Sequence, residues 1–244
     1  GGSSDLLFAK STDGGATWAT STVDSTGVTG LWTSIYAVDA NTIFISYYDD
    51  TSDDLKFAKS TNGGASWTLA TVDSSATIVG TLTSISAVDS STIFIAYQDT
   101  TNVDVKFAKS TNGGTDWTTS IIDARATVGG GLFPSIEAIN ANTLFVSYVE
   151  SGVALMFASS TNGGTSWATS TIDASMGAAP NKTSLEVIDA NNILIAYDDG
   201  SLSSDVQLAK YNGTSWTISN IDTVPASRGE KSLFAADVNT LFVS

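Results

Sequence analysis

The sequence predicts an all-β protein, a five-bladed β-propeller built from four-stranded antiparallel blades. The first observation is a repeat, because Trp18, Trp67, Trp117, Trp167 and Trp216 follow one another at intervals of 49 or 50 residues. A fixed period near 50 is typical of repeat architectures. The second observation is that each repeat holds four short segments rich in β-branched and aromatic residues, with no helical period. The third is the order of these segments at the two chain ends, which predicts one blade shared between the termini.

Each predicted strand can be justified in the first complete repeat. The first strand is Thr33–Asp39 and the second is Asn41–Tyr47. The second is apolar at consecutive positions, which predicts a strand covered on both faces. The third strand is Asp54–Lys59, and the fourth runs from Trp67 to Asp73. Four strands covered on both faces are typical of a propeller blade, whose sheet stacks against its neighbours around an axis.

The same order of segments predicts a single domain over residues 1–244. Complete blades are expected at 33–73, 83–123, 134–173 and 183–222. The chain opens with a third and a fourth strand and closes with a first and a second, so residues 231–244 plus 5–24 are expected to form the fifth blade. Joining them would pair the strand edges that an open array leaves exposed. The aspartates that end the fourth strands are expected to cap them: Asp24, Asp73, Asp123, Asp173 and Asp222.

A Ser-x-Asp-x-Gly-x-x-Trp box connects the third and fourth strands of each repeat. Its short polar side chains can bond nearby backbone amides and so close a turn locally. Its glycine supplies a positive φ, and its tryptophan opens the outer strand with a large apolar surface. The residues expected to fold these turns are Ser11, Asp13, Gly15 and Trp18; Ser60, Asn62, Gly64 and Trp67; Ser110, Asn112, Gly114 and Trp117; Ser160, Asn162, Gly164 and Trp167; and Asn212 and Trp216.

These boxes resemble the Asp-box, or bacterial neuraminidase repeat, of sialidases and many other propellers. In that family the box lies on a hairpin between the third and fourth strands, away from the catalytic face. The resemblance therefore implies a sialidase-like propeller fold and a structural role for the boxes. The alternative is that the boxes themselves bind calcium or glycans.

Composition excludes several classes of function. Lys and Arg number 10 against 25 Asp and Glu, a net charge of −15, and nucleic acids and anionic membranes require clustered positive charge. The chain has no cysteine and no histidine, so thiolate zinc sites and Ser–His or Cys–His triads are excluded. No apolar run approaches the roughly 20 residues that span a bilayer. The wealth of Ser, Thr, Asn and Gly favours an extracellular or cell-surface protein, although a cytoplasmic or halophilic origin is also compatible with it.

Differences between the repeats indicate where a ligand would bind. The connections from fourth to first strand and from second to third strand vary in length, and both leave an up-and-down blade at the same end. Function commonly lies on loops held by a rigid scaffold. Trp32, the one tryptophan outside the boxes, could stack on a sugar ring or plug the mouth of the channel. The candidate ligand-binding residues are Trp32, Tyr36, Asp49, Gln98, Arg125, Phe133, Lys182, Asp198 and Arg228.

A catalytic alternative depends on two glutamates in predicted inner strands. Glu137 and Glu186 occupy equivalent positions in adjacent repeats, and two facing carboxylates can share the acid and base roles of glycoside cleavage. They could equally be solvated in the channel or paired with Lys182 or Arg228. Sialidases would require three arginines around the substrate carboxylate, and the chain has only Arg125 and Arg228. The sequence therefore argues against sialidase activity.

An acidic loop offers oxygen ligands of the kind that Ca²⁺ accepts. The candidate metal ligands are Asp49, Asp50 and Asp53, which lack the spacing of a recognised calcium loop. The alternative is that these acidic turns are simply hydrated. The sequence therefore predicts no required cofactor, and Ca²⁺ is the metal ion that these loops could bind.

The sequence thus favours a non-enzymatic recognition or scaffold module that binds a glycan or a protein through its variable loops. A glycoside hydrolase that uses channel carboxylates is the first alternative. A purely structural or self-assembling repeat unit, suggested by the similarity of the repeats, is the second.

Overall fold

A computed structural model describes residues 4–75, 78–124, 132–150, 154–176, 182–199, 206–222 and 232–244. Within these ranges the chain forms β-strands and turns, and no helix. The all-β class predicted from the repeat is confirmed.

In the part of the chain that the structure describes, the strands form four four-stranded sheets and two hairpins. The N-terminal hairpin consists of β1 (Leu6–Lys10) and β2 (Ala19–Asp24). Sheet I contains β3 (Thr29–Ala37), β4 (Ile43–Asp49), β5 (Asp54–Ser60) and β6 (Thr68–Asp73). Sheet II contains β7 (Val79–Ala87), β8 (Ile93–Asp99), β9 (Asp104–Ser110) and β10 (Thr118–Ala124). Sheet III contains β11 (Leu132–Ala138), β12 (Leu144–Glu150), β13 (Ala154–Ser160) and β14 (Ala168–Asp173). Sheet IV contains β15 (Ser184–Asp189), β16 (Asn192–Asp198), β17 (Val206–Tyr211) and β18 (Trp216–Asp222), and the C-terminal hairpin contains β19 (Leu233–Ala235) and β20 (Leu241–Val243).

Each four-stranded sheet follows the order of the sequence, with consecutive strands as neighbours. In sheets I, III and IV the recorded pairings are all antiparallel. The second strands β4 and β8 are buried along their whole length. Consecutive apolar residues such as Ile43, Phe44 and Ile45 therefore face protein on both sides, as the sequence predicts.

Two compact units divide the chain. Unit 1 comprises residues 1–102 and 108–119, and unit 2 comprises residues 103–107 and 120–244. The apolar core of unit 1 includes Phe44, Leu55, Phe57 and Ile85. The core of unit 2 includes the counterparts Phe145, Leu155, Phe157 and Leu185. Each core therefore lies between two successive sheets, sheets I and II in the first case and sheets III and IV in the second.

The predicted fifth sheet differs from the observed structure. Strands β1 and β2 form one two-stranded sheet, and β19 and β20 form another. The single sheet expected from residues 231–244 plus 5–24 is not observed among the described residues. The strand pairing in each hairpin is between its own two strands. The single domain over residues 1–244 stays a prediction.

Candidate functional site

The boxes form compact turns between third and fourth strands. In the first box, Ser11 Oγ accepts a hydrogen bond of 2.8 Å from the Gly15 amide, and Asp13 Oδ1 accepts one of 2.9 Å from the Thr17 amide. The Ser60, Ser110 and Ser160 hydroxyls accept the equivalent glycine amides at 2.8 to 2.9 Å. Hydrogen bonds from the Thr17 side chain and amide, and then from Ser11, lower the pKa of Asp13 to about 2. These polar groups are used up within the turn, so they leave little to offer a ligand.

From the second box onward, the box tryptophans pack against the preceding sheet or hairpin, whereas Trp18 of the first box is 64% exposed. The Trp67 ring meets Phe8 edge-on with ring centroids 5.2 Å apart, and Trp117 meets Phe57 in the same way at 5.1 Å. A Cβ on Gly114 would come within 2.2 Å of the Phe57 ring. The boxes therefore hold successive sheets together through direct contact.

Trp32 lies in the N-terminal half of β3, in an unusual backbone conformation. Its φ is 46°, and Leu82 and Phe133 at the equivalent positions have φ of 53° and 54°. A positive φ is rare for a bulky residue and marks a constrained position. It coincides with an irregularity in the register between Leu31 and Ser34. At this irregularity Trp32 is 47% exposed, whereas Leu82 and Phe133 at the equivalent positions are half-buried.

An aromatic and acidic surface continues from Trp32. The Trp32 and Tyr48 rings lie 5.4 Å apart at 47°, and the Tyr48 hydroxyl donates a hydrogen bond to Asp53 Oδ1. Burial and the hydrogen bond to Asp53 raise the pKa of Tyr48 well above its ordinary value, so the phenol remains a donor. We call Trp32 and Asp53, together with the buried Tyr48 that contacts both, the Trp32 surface.

A cavity of 360 Å³ adjoins this surface at Asp53. It is lined by small hydroxyl side chains, two carboxylates and one apolar residue: Ser52, Asp53, Asp54, Ser74, Ser75, Ile78 and Thr101. Three connecting segments therefore contribute: the β4–β5, β6–β7 and β8–β9 connections. The variable connections of unit 1 converge on one acidic, hydroxyl-rich cavity.

The structure places the other predicted ligand-binding residues differently. Asp49, Gln98 and Asp198 are buried, and Tyr36 and Phe133 are half-buried. Lys182 is exposed, whereas Arg125 and Arg228 lie outside the described residues. Buried side chains cannot contact a ligand in this conformation, so Trp32 is the one exposed side chain of the predicted set in unit 1.

The candidate calcium ligands do not gather around one point. Asp49 Oδ1 accepts the Thr51 amide, and its Oδ2 lies 3.6 Å from Lys56 Nζ. Asp53 accepts the hydrogen bond from Tyr48, and Asp50 is exposed. Among the described residues no group of three or more acidic side chains could hold a metal ion.

Glu137 and Glu186 lie on neighbouring first strands of unit 2. Ser135 Oγ accepts a hydrogen bond of 3.2 Å from the Leu185 amide, so β11 and β15 run side by side. Both glutamates are half-buried. Burial raises the pKa of Glu186, which favours the protonated form that a general acid requires.

Sequence reasoning missed a set of tyrosine–aspartate hydrogen bonds between successive sheets. Each joins the second-strand tyrosine of one sheet to the fourth-strand aspartate of the preceding sheet or hairpin, at 2.6 to 2.9 Å: Tyr47 to Asp24, Tyr97 to Asp73, Tyr148 to Asp123 and Tyr197 to Asp173. The predicted capping is also present, since Asp24 Oδ1 accepts the Thr26 amide at 3.0 Å. Both residue types recur at the repeat period, and that shared recurrence was the signal available in the sequence.

Comparisons with solved structures show the fold. A protein of unknown function from Dyadobacter fermentans has a TM-score of 0.68 and 14% identity, over 98% of this chain and 78% of that one. The SapL1 lectin, solved in complex with α-methyl fucoside, has a TM-score of 0.63 and 13% identity, over 93% of this chain and 76% of that one. The Aleuria aurantia lectin, a fungal six-bladed β-propeller described with a novel fucose recognition mode, has a TM-score of 0.60 and 11% identity, over 84% of this chain and 67% of that one.

These likenesses support a β-propeller fold of the kind that fungal lectins adopt. The sialidase-like assignment suggested by the boxes is not confirmed by them. No protein-family model and no curated protein matches the sequence. No helix in the described ranges is long and apolar enough to cross a membrane.

Proposed function

We propose that the protein is a non-enzymatic glycan-recognition module whose binding surface is the Trp32 surface together with the adjoining 360 Å³ cavity. A secreted or cell-surface location, where glycans are displayed, belongs to this proposal. The observation that best supports this proposal is Trp32 itself, an exposed tryptophan beside polar groups.

The chemistry of this surface suits a sugar. A sugar ring presents an apolar face of C–H groups and a rim of hydroxyls, so it requires an aromatic plane beside hydrogen-bonding groups. Trp32 offers the plane, and carboxylates, hydroxyls and backbone groups of the cavity offer donors and acceptors. The bulge at Leu31–Ser34 holds the tryptophan in place before binding, which reduces the entropy lost on association.

The negative charge of the cavity indicates which class of glycan could bind there. Asp53 and Asp54 line the cavity, no Lys or Arg is among its lining residues, and the chain carries a net charge of −15. Sialylated and sulfated glycans would be repelled by such a field. We therefore expect neutral sugars, or sugars with an amino group, to be the ligands. The fold similarity to two fucose-binding lectins makes fucosides the first neutral sugars to test.

A glycan array with neutral, amino-substituted and sialylated members would test this proposal. We expect binding to neutral or amino glycans, and loss of about tenfold or more in affinity for Trp32→Ala, which corresponds to about 1.4 kcal/mol. Ligand binding should also change the intrinsic tryptophan fluorescence of the native protein, and this change should disappear in Trp32→Ala.

Leu82→Ala is the matched control. Leu82 occupies the equivalent position of β7, has a positive φ as Trp32 does, and is not part of the Trp32 surface. It should bind like the native protein. An array without binding, or binding that Trp32→Ala leaves unchanged, would overturn the glycan proposal.

A further inference from the structure

Four box asparagines are each followed directly by a glycine: Asn62, Asn112, Asn162 and Asn212. An asparagine in this position can lose its side-chain amide without an enzyme. The glycine nitrogen forms a bond to the asparagine Cγ, the bond from Cγ to Nδ2 breaks, and ammonia leaves with the proton of the glycine amide. Glycine favours this attack because it has no side chain to obstruct the approach. Water then opens the resulting succinimide to give aspartate or isoaspartate.

In three of the four pairs, hydrogen bonds hold both the attacking nitrogen and the leaving group. Asn62 Nδ2 donates to Ser66 Oγ at 2.8 Å, and the Gly63 amide donates to the Asn41 carbonyl at 2.9 Å. The same two bonds recur in the third and fourth boxes: Asn112 Nδ2 to Asp116 Oδ2 at 2.7 Å and Gly113 amide to Ser91 carbonyl at 2.9 Å; Asn162 Nδ2 to Ser166 Oγ at 2.8 Å and Gly163 amide to Asn142 carbonyl at 2.9 Å. These bonds must break before the glycine nitrogen can turn towards Cγ.

The fifth box differs because it is shorter. It lacks the leading serine and one of the two glycines, and it places Asn212 and Gly213 directly after Tyr211 at the end of β17. Within the ranges that the structure describes, neither Asn212 Nδ2 nor the Gly213 amide donates a hydrogen bond. Asn212 is exposed, so water can reach it. The nucleophile and the leaving group of this pair are therefore not held as they are in the other three.

The side-chain carbonyl of Asn212 is bonded in a way that favours the attack. Its Oδ1 accepts the Thr214 and Ser215 amides, both at 3.0 Å. These amides are two and three residues further on, so the side chain is folded over the Gly213 peptide. Asn62 Oδ1 instead accepts the amide of Ser66, four residues on. Donors at the carbonyl oxygen stabilise the negative charge that develops there when the nitrogen bonds to Cγ.

We propose that Asn212 is a site of spontaneous deamidation in the folded protein, while the fold protects the other three asparagines. Each event adds one negative charge to the chain. An aspartate product can keep a box turn, since Asp13 Oδ1 accepts the Thr17 amide at 2.9 Å in the first box. An isoaspartate product lengthens the main chain by one carbon atom in the turn between Tyr211 and Trp216, which pair across β17 and β18.

Peptide mapping by mass spectrometry tests the proposal. The native protein is incubated at mildly alkaline pH and digested, and aspartyl and isoaspartyl peptides are separated. We expect Asn212 to react at least about tenfold faster than the other three, because they must first lose hydrogen bonds. In concentrated urea all four should react at similar rates, since those bonds are lost. The rate at Asn212 should rise with pH, because the attacking nitrogen must give up its proton.

Variants provide the second measurement. Ion-exchange chromatography of the incubated native protein should show an early acidic species, which Asn212→Gln removes. Asn220→Gln, at an exposed position on β18, is the matched control and should retain that species. Ser66→Ala removes the acceptor of Asn62 Nδ2 and should speed the reaction at Asn62, whereas Thr68→Ala should not.

Three results would overturn the proposal. The first is a native protein in which Asn212 reacts no faster than the other three asparagines. The second is a preference for Asn212 that persists unchanged in urea, since the fold would then not cause it. The third is a product that contains aspartate without isoaspartate, which would mean direct hydrolysis rather than attack by the Gly213 nitrogen.

Discussion

At the scale of single residues, the tyrosine–aspartate hydrogen bonds explain why two residue types persist in every complete repeat. Asp24, Asp73 and Asp173 each cap the end of their own fourth strand and also accept the hydroxyl of a tyrosine from the next sheet. Burial alone would raise the pKa of Asp24, but hydrogen bonds from Thr26 and Tyr47 outweigh it and lower that pKa. A carboxylate shared in this way couples the local turn to the packing of successive sheets.

Tyr97→Phe should therefore destabilise the protein by about 1–3 kcal/mol, because the half-buried Asp73 carboxylate loses a donor that sits 2.7 Å away. Chemical denaturation followed by circular dichroism measures the change in the free energy of unfolding. Tyr211→Phe is the control, since no hydrogen bond of the Tyr211 hydroxyl is recorded among the described residues, and it should cost much less. Equal losses in the two variants would contradict a stabilising role for the tyrosine–aspartate bond.

At the scale of strands and turns, much of the structure could be predicted because its causes are local. The all-buried pattern of β4 follows from consecutive apolar residues, and the box turn follows from a Ser, an Asp or Asn and a glycine within five positions. The Tyr97–Asp73 bond escaped prediction because its partners are 24 residues apart and belong to different sheets. The positive φ of Trp32 could not be predicted either, since nothing in the residue type indicates a tryptophan in the left-handed region of backbone conformation. Asp49 and Gln98 were predicted at the ligand surface, but both side chains are buried, and Asp49 is engaged by the Thr51 amide and by Lys56.

Replacing box glycines with alanine should destabilise the protein by different amounts in different boxes. Gly114 has a φ of +86°, and an added Cβ would lie 2.2 Å from Phe57, whereas Gly15 has a φ of +91° and open space around it. Gly15→Ala should cost about 1 kcal/mol through backbone strain. Gly114→Ala carries the same strain and also displaces a buried ring, so its cost should be larger by about 1–3 kcal/mol.

Thermal denaturation of the two alanine variants would measure this difference. If Gly114→Ala were no less stable than Gly15→Ala, the close contact of the box with the preceding sheet would not contribute to stability. A Phe57→Leu background should reduce the difference, because the smaller side chain leaves room for the new methyl group.

At the scale of the whole molecule, the dominant property is the net charge of −15. Only 10 residues are cationic, and some of these are engaged within the fold: Lys59 Nζ donates to the Gly113 carbonyl at 3.1 Å, and Lys10 Nζ donates to the Gly63 carbonyl at 3.2 Å. Lysines that bond box carbonyls stabilise the contacts between sheets. Carboxylates that lie on the surface, such as that of Asp50, oppose compaction through mutual repulsion.

The protein should therefore become more stable as salt is added. The Debye length falls from about 30 Å at 0.01 M to about 8 Å at 0.15 M, so repulsion among surface carboxylates is screened over this range. A gain of about 1 kcal/mol would raise the Tm of a chain of this size by about 2–4 °C. Melting curves in NaCl and KCl should coincide, because screening depends on ionic strength rather than on a bound cation.

Asp50→Asn, which removes one exposed charge from the acidic loop, should raise Tm at low salt and flatten the salt dependence of Tm, whereas Ser52→Asn should do neither. A Tm that falls with added salt would mean that attractive ion pairs, such as Lys56 with Asp49, outweigh the repulsion.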